Sequence, residues 1–139
     1  MSIINSMTKL RVEINDPIID KYIDGIERVE TIYSDGLTIS SWQFKVDNPK
    51  GIVIVTHGMH GMDASSMLDY GMFFKKEGYE TFVLDMRAHG FSDGDTIGLG
   101  YTEVKDFSVL LDWINSQEEY ENKPIILYGF SMGGTTAIK

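Results

Sequence analysis

The sequence predicts an α/β chain, a three-layer sandwich in which an antiparallel hairpin is followed by a parallel βαβαβ unit. Three observations point there. Ile52–Thr56, Thr81–Asp85 and Pro124–Tyr128 are strand-length apolar runs without polar alternation, the mark of strands covered on both faces. The segments between them carry apolar residues at helical spacing, and such alternation of strand and helix implies right-handed crossovers. Upstream, two stretches rich in β-branched and aromatic residues flank Asp35-Gly36, a hairpin signal.

In chain order, Asp16-Pro17 reads as an N-cap with proline at the first helical position. Ile18, Ile19, Tyr22 and Ile23 form one apolar face, and Gly25 is the stop. The hairpin strands are placed at Val29–Ser34 and Leu37–Val46. Met67, Leu68, Tyr70, Gly71 and Phe74 predict a helix within residues 65–78 ending at Gly78. After a glycine-rich loop over 86–101, Thr102 is placed to cap a helix whose stripe is Val104, Phe107, Leu110, Leu111 and Ile114. Residues 117–123 are polar and read as a connection, and a further helix opens after Tyr128. The strand ends deliver the unusual residues to one edge of the sheet, where open α/β sheets bind ligands.

Composition narrows the function. The chain has 139 residues, 42% hydrophobic and 24% charged, enough to bury a core without staples. A net charge of −9 argues against nucleic acid or an anionic lipid surface as partner. The absence of cysteine removes thiol nucleophiles, zinc ribbons and disulfides. No apolar run is long enough for a membrane span, and the first nine residues lack the basic leader and apolar core of a signal peptide, so the expectation is a cytoplasmic protein. His57, His60 and His89 lack metal-ligand spacing, so no metal is expected. No phosphate-binding glycine loop is present. Asp85 and Arg87 read as an ion pair ordering their loop, and most of the methionines read as core filler.

Gly129-Phe130-Ser131-Met132-Gly133 fits G-x-S-x-G between a strand and a helix, the turn that lifts a serine hydroxyl above the sheet edge. Acyl transfer at that serine needs backbone N–H donors where the oxyanion forms. Met132 N–H, directly after the serine, is one candidate; Met59 N–H, in the His57-Gly58-Met59 turn, is the other.

With His57-Gly58-Met59, Asp85-Met86-Arg87-Ala88-His89-Gly90-Phe91-Ser92 and Gly129-Phe130-Ser131-Met132-Gly133-Gly134 in this order, the sequence resembles the α/β-hydrolase superfamily. The likeness is to its serine-hydrolase branch of monoacylglycerol lipase-like, lysophospholipase-like and serine aminopeptidase-like enzymes, from about Val29 onward. Ala88 stands where the family usually has glycine. The resemblance implies Ser131 as nucleophile, Met59 and Met132 as oxyanion donors, an ester or acyl substrate, and no cofactor. It also implies a triad acid and histidine following the serine in chain order, yet Met132 to Lys139 contain no Asp, Glu or His. The expectation is therefore a partial domain over 1–139, the N-terminal half of an α/β-hydrolase fold and inactive alone. Residues 1–25 would be an extension with a short helix, and residues 26–139 strands one to five through the nucleophile elbow. The alternative is a non-catalytic binding or assembly module, or a half-domain that pairs with another chain. Either way the strand ending at Tyr128 would expose an edge through which the chain self-associates.

Overall fold

The computed structural model describes residues 25–33, 36–59 and 62–139. The helix expected over Asp16–Ile23, the turn residue Asp35 and His60 lie outside them. The described residues build one mixed sheet of five strands, β1 (Ile26–Ile32), β2 (Thr38–Phe44), β3 (Ile52–Thr56), β4 (Glu80–Leu84) and β5 (Ile125–Gly129), in the order β1-β2-β4-β3-β5. The hairpin β1–β2 is antiparallel with Val29 opposite Ser41, and β2 joins β4 antiparallel. Strands β4, β3 and β5 run parallel, with Ile54 opposite both Phe82 and Leu127.

The alternation of strand side chains makes two cores, one on each side of the sheet. Val53, Val55, Val83 and Phe44 pack with Leu68 of α1 (Leu68–Lys76). Ile52, Ile54, Phe82 and Leu84 pack with Phe107, Leu110 and Ile114 of α2 (Val104–Asn115). The helix α1 crosses close to β2 because Gly71 has no side chain. A Cβ there would stand 2.7 Å from Phe44 Cζ and 2.8 Å from Cδ2. A short helix α3 (Met132–Ala137) follows β5, and Met132 joins the α2-side core. No helix among the described residues is long and apolar enough to cross a membrane.

Four local expectations change. The helix expected within 65–78 starts as a 3₁₀ turn, Ala64–Met67, with Asp63 as its cap, Oδ1 accepting from Ser65 N at 2.8 Å. Thr102 is not the cap of α2. Glu103 precedes the helix, and the Thr102 hydroxyl turns to the Glu103 carboxylate at 3.3 Å. Residues 117–123 are more than a polar link, because a 3₁₀ turn, Glu118–Tyr120, drives Tyr120 into the core. There its hydroxyl donates to Glu80 Oε1 (3.0 Å) and accepts from Gln43 Nε2 (2.8 Å). Finally, β5 is not covered on both faces. Among the described residues it pairs with β3 alone and leaves Ile126, Leu127 and Tyr128 about 40% exposed, since an edge strand has no second neighbour to extend the helix layers over it.

Candidate active site

The carboxyl ends of β3, β4 and β5 converge, and the turn after β5 is the most constrained of the three. Ser131 has φ 51° and ψ −116°, a left-handed backbone for a residue with a side chain, and such strain persists only when its surroundings enforce it. The glycines around it are those surroundings. A Cβ on Gly129 would collide with the backbone of Gly133 and Gly134. One on Gly133 would lie 2.5 Å from Thr56 Oγ1 and 2.6 Å from the His57 carbonyl. Two backbone bonds lock the turn to the end of β3: Phe130 N donates to Thr56 O (3.0 Å) and Gly133 N to His57 O (3.1 Å). The Ser131 side chain is left exposed at the sheet edge.

The loop after β3 comes up against this turn. A Cβ on Gly58 would lie 3.4 Å from Ser131 Cβ and 3.3 Å from Phe130 Cδ1, so the residue before Met59 leaves little more than the room of one side-chain carbon between itself and the serine. Met132 is the first residue of α3, where an N–H has no partner within its own helix. Among the described residues neither Met59 N–H nor Met132 N–H donates to another protein group. The structure therefore brings Gly58, Ser131 and Met132 together, with Met59 the next residue along the loop after β3.

His57 lies beneath this place, fully buried. Its Nδ1 is 2.7 Å from Gly58 O, and its Nε2 accepts from Met86 N at 3.1 Å. A carbonyl needs a donor and an N–H needs an acceptor, so the two contacts define a neutral ring protonated at Nδ1. Burial, then the nearby His89 ring at 4.6 Å between centroids, lowers its pKa to about 3. A histidine so placed is a strut of the loop.

The loop after β4 departs from the sequence reading. Arg87 does not pair with Asp85. Its backbone N, Nε and Nη2 all donate to Asp106 of α2 at 2.8–3.3 Å, and Tyr33 donates to the same carboxylate at 3.0 Å. Asp85 accepts instead from Ala64 N and Phe91 N. Residues two apart at a strand end leave in different directions, Asp85 toward the loop after β3 and Arg87 toward α2. Burial opposes the Arg87 charge, but the hydrogen bonds and attraction of Asp106 more than offset it and raise its pKa. Burial also raises Asp106, with Arg87 pulling the other way. Ala88 has φ 62°, which gives a physical reason for glycine at this position in the resembling family.

Sequence reasoning also missed Glu103. Its buried carboxylate accepts from Gly98 N (2.6 Å) and Gly100 N (2.8 Å), folding residues 98–103 against α3, where Gly100 approaches Thr136. A glutamate just before a helical stripe and after Gly-Leu-Gly was the available signal.

Residues 47–139 match the family model described as serine aminopeptidase, S33. The chain belongs to this family of α/β hydrolases. Among its relatives, caffeoylshikimate esterase of Arabidopsis thaliana is 34% identical over 92 residues, 64% of this chain and 27% of that protein. Monoglyceride lipase of Rattus norvegicus is 32% identical over 95 residues, 65% of this chain and 29% of that protein. The solved esterase Pf2001 of Pyrococcus furiosus superposes with a TM-score of 0.77 at 30% identity, over 92% of this chain and 51% of that one. The chain thus spans under a third of these two curated relatives and about half of the solved esterase.

Proposed function

We propose that this member of the S33 family supplies the nucleophile and the oxyanion donors of a serine hydrolase acting on carboxylic esters. The observation that carries the reading is Ser131 at φ 51° between β5 and α3, exposed directly before Met132 and next to the Gly58 turn that leads into Met59. In this mechanism Ser131 Oγ attacks the ester carbonyl and loses its proton to a base, and the carbonyl oxygen becomes an oxyanion held by the two N–H groups. Collapse expels the alcohol and leaves an acyl-enzyme that water hydrolyses. The names of the esterase and lipase relatives support an ester substrate. No cofactor takes part in these steps.

The described histidines do not serve as the base. His57 has both ring nitrogens committed to the backbone, and His89 is wholly buried against the His57 ring, with Nδ1 engaged by Arg87 O at 2.8 Å, whereas Ser131 is exposed. Without a base a serine hydroxyl is a weak nucleophile at neutral pH, so the 139 residues alone are expected to turn over p-nitrophenyl butyrate negligibly. Rapid turnover abolished by Ser131→Ala would overturn that expectation. The hydrolase reading itself is tested with phenylboronic acid, followed by amide NMR. Boron bonds to Ser131 Oγ, the hydroxyl proton leaves to solvent, and the tetrahedral boronate anion presents an oxygen to the two donors. The Met132 and Met59 amides should shift in the wild type and stay put in Ser131→Ala; equal shifts in both proteins would sink the reading.

A further inference from the structure

The loop carrying Met59 is pinned at both ends by side chains. At its start, His57 Nδ1 donates to Gly58 O while Nε2 holds Met86 N. At its far end, Asp85 Oδ1 accepts from Ala64 N at 2.7 Å, and the other oxygen accepts from Phe91 N at 3.2 Å. We propose that Asp85 is the positioning residue for the Met59 N–H, acting through Ala64; this rests on Met59 being an oxyanion donor.

Asp85 is itself an immobile post. It is 1% exposed, its N–H donates to Ser40 O of β2 at 3.0 Å, and its carbonyl accepts from Ser92 Oγ at 2.5 Å. Gly90 makes room for its carboxylate, since any Cβ on Gly90 would overlap the carboxyl group. The segment it grips is stiff as well. Directly before Ala64, Asp63 accepts from Ser65 N and Ser65 Oγ, and the Asp63 carbonyl accepts from Ser66 N (3.2 Å) and Ser66 Oγ (2.7 Å). Only five residues of chain, 59–63, separate the two pinned points, a tether short enough that on this proposal the position of Ala64 limits where Met59 can stand. An oxyanion donor works only within a few tenths of an ångström of its acceptor, which is why a remote clamp matters.

A carboxylate is required because both oxygens face N–H donors. Asparagine offers one acceptor, and its NH₂ would confront either Ala64 N or Phe91 N. Amide hydrogen exchange on the whole chain tests this. In the wild type the Ala64 N–H should be protected. In Asp85→Asn it should exchange about tenfold to a hundredfold faster and the Met59 amide should move, while Val55 and Phe82 in the sheet stay protected. Gly90→Ala, which displaces the carboxylate but keeps its charge, should expose the same amide and serves if Asp85→Asn does not fold. An unprotected Ala64 in the wild type, or unchanged Ala64 and Met59 amides in the variants, would overturn the proposal. With phenylboronic acid, Asp85→Asn should keep the Met132 response and lose that of Met59, a split that general loosening does not produce. If the probe moves neither amide in the wild type, the hydrolase reading fails, while the exchange rates still decide the clamp.

Discussion

Acidification should destabilise this protein measurably through a single ring. His57 is neutral in the folded state because its Nε2 accepts from Met86 N–H. Protonation would set two N–H groups against each other inside a buried pocket. Its pKa falls from 6.5 to about 3, first through burial and second through His89. The sign follows from proton counting. Between these two values the unfolded chain binds a proton at His57 that the folded chain does not, so the stability is whole above pH 6.5 and drains as pH falls toward 3. Each pH unit in the window costs about 1.4 kcal/mol, so lowering the pH from 7 to 5 removes about 2 kcal/mol through this group alone. That is a sizeable part of the stability of an ordinary domain. The assay is urea unfolding at pH 7, 6 and 5, for the wild type and for His57→Asn. The variant should be less stable at pH 7, having lost the strut. Its stability should then decline with acid less steeply, by about one proton's worth of slope. Equal slopes in the two proteins would refute the reasoning.

Ser131→Gly should abolish any Ser131 chemistry and raise the unfolding midpoint, because relieving a left-handed serine recovers about 1 kcal/mol; a lowered midpoint in thermal melts would contradict the strain argument. Tyr120→Phe should cost about 1–3 kcal/mol in urea unfolding, as Glu80 and Gln43 each lose a buried partner, and a neutral effect would show the network to be dispensable. Asp106→Asn should cost about 3 kcal/mol, since it strips the counter-charge from an Arg87 side chain that is only 16% exposed, and added salt should not mimic it as it would for a surface pair.

Most of the architecture was legible in the chain. The uninterrupted apolar runs of β3 and β4 mark strands covered on both faces, and the stripe Phe107, Leu110, Ile114 packs as its spacing requires. Gly78, expected as the stop of α1, has φ 86°. Two of the errors share a cause. Asp85 with Arg87 as a pair and residues 117–123 as a bare link were both judged from near neighbours. Their partners lie 19 to 40 residues away, in Asp106 for Arg87, Ala64 for Asp85 and Glu80 for Tyr120. Spacing along a chain carries no record of such meetings. The apolar run of β5 misled differently: hydrophobic content reports what a strand is suited to pack against, and its position at the sheet edge decides what it meets.

By itself the sequence determined the order of strands and helices, the glycine-flanked serine and the two turns beside it, because periodicity, turn chemistry and steric room are properties of short segments. Only the tertiary structure decided that Gly58 lies against Ser131, that His57 is a neutral strut rather than a base, and that Asp85 reaches Ala64. Each of those depends on where one strand end stands relative to another, and that is settled when the sheet closes its register and the cores pack.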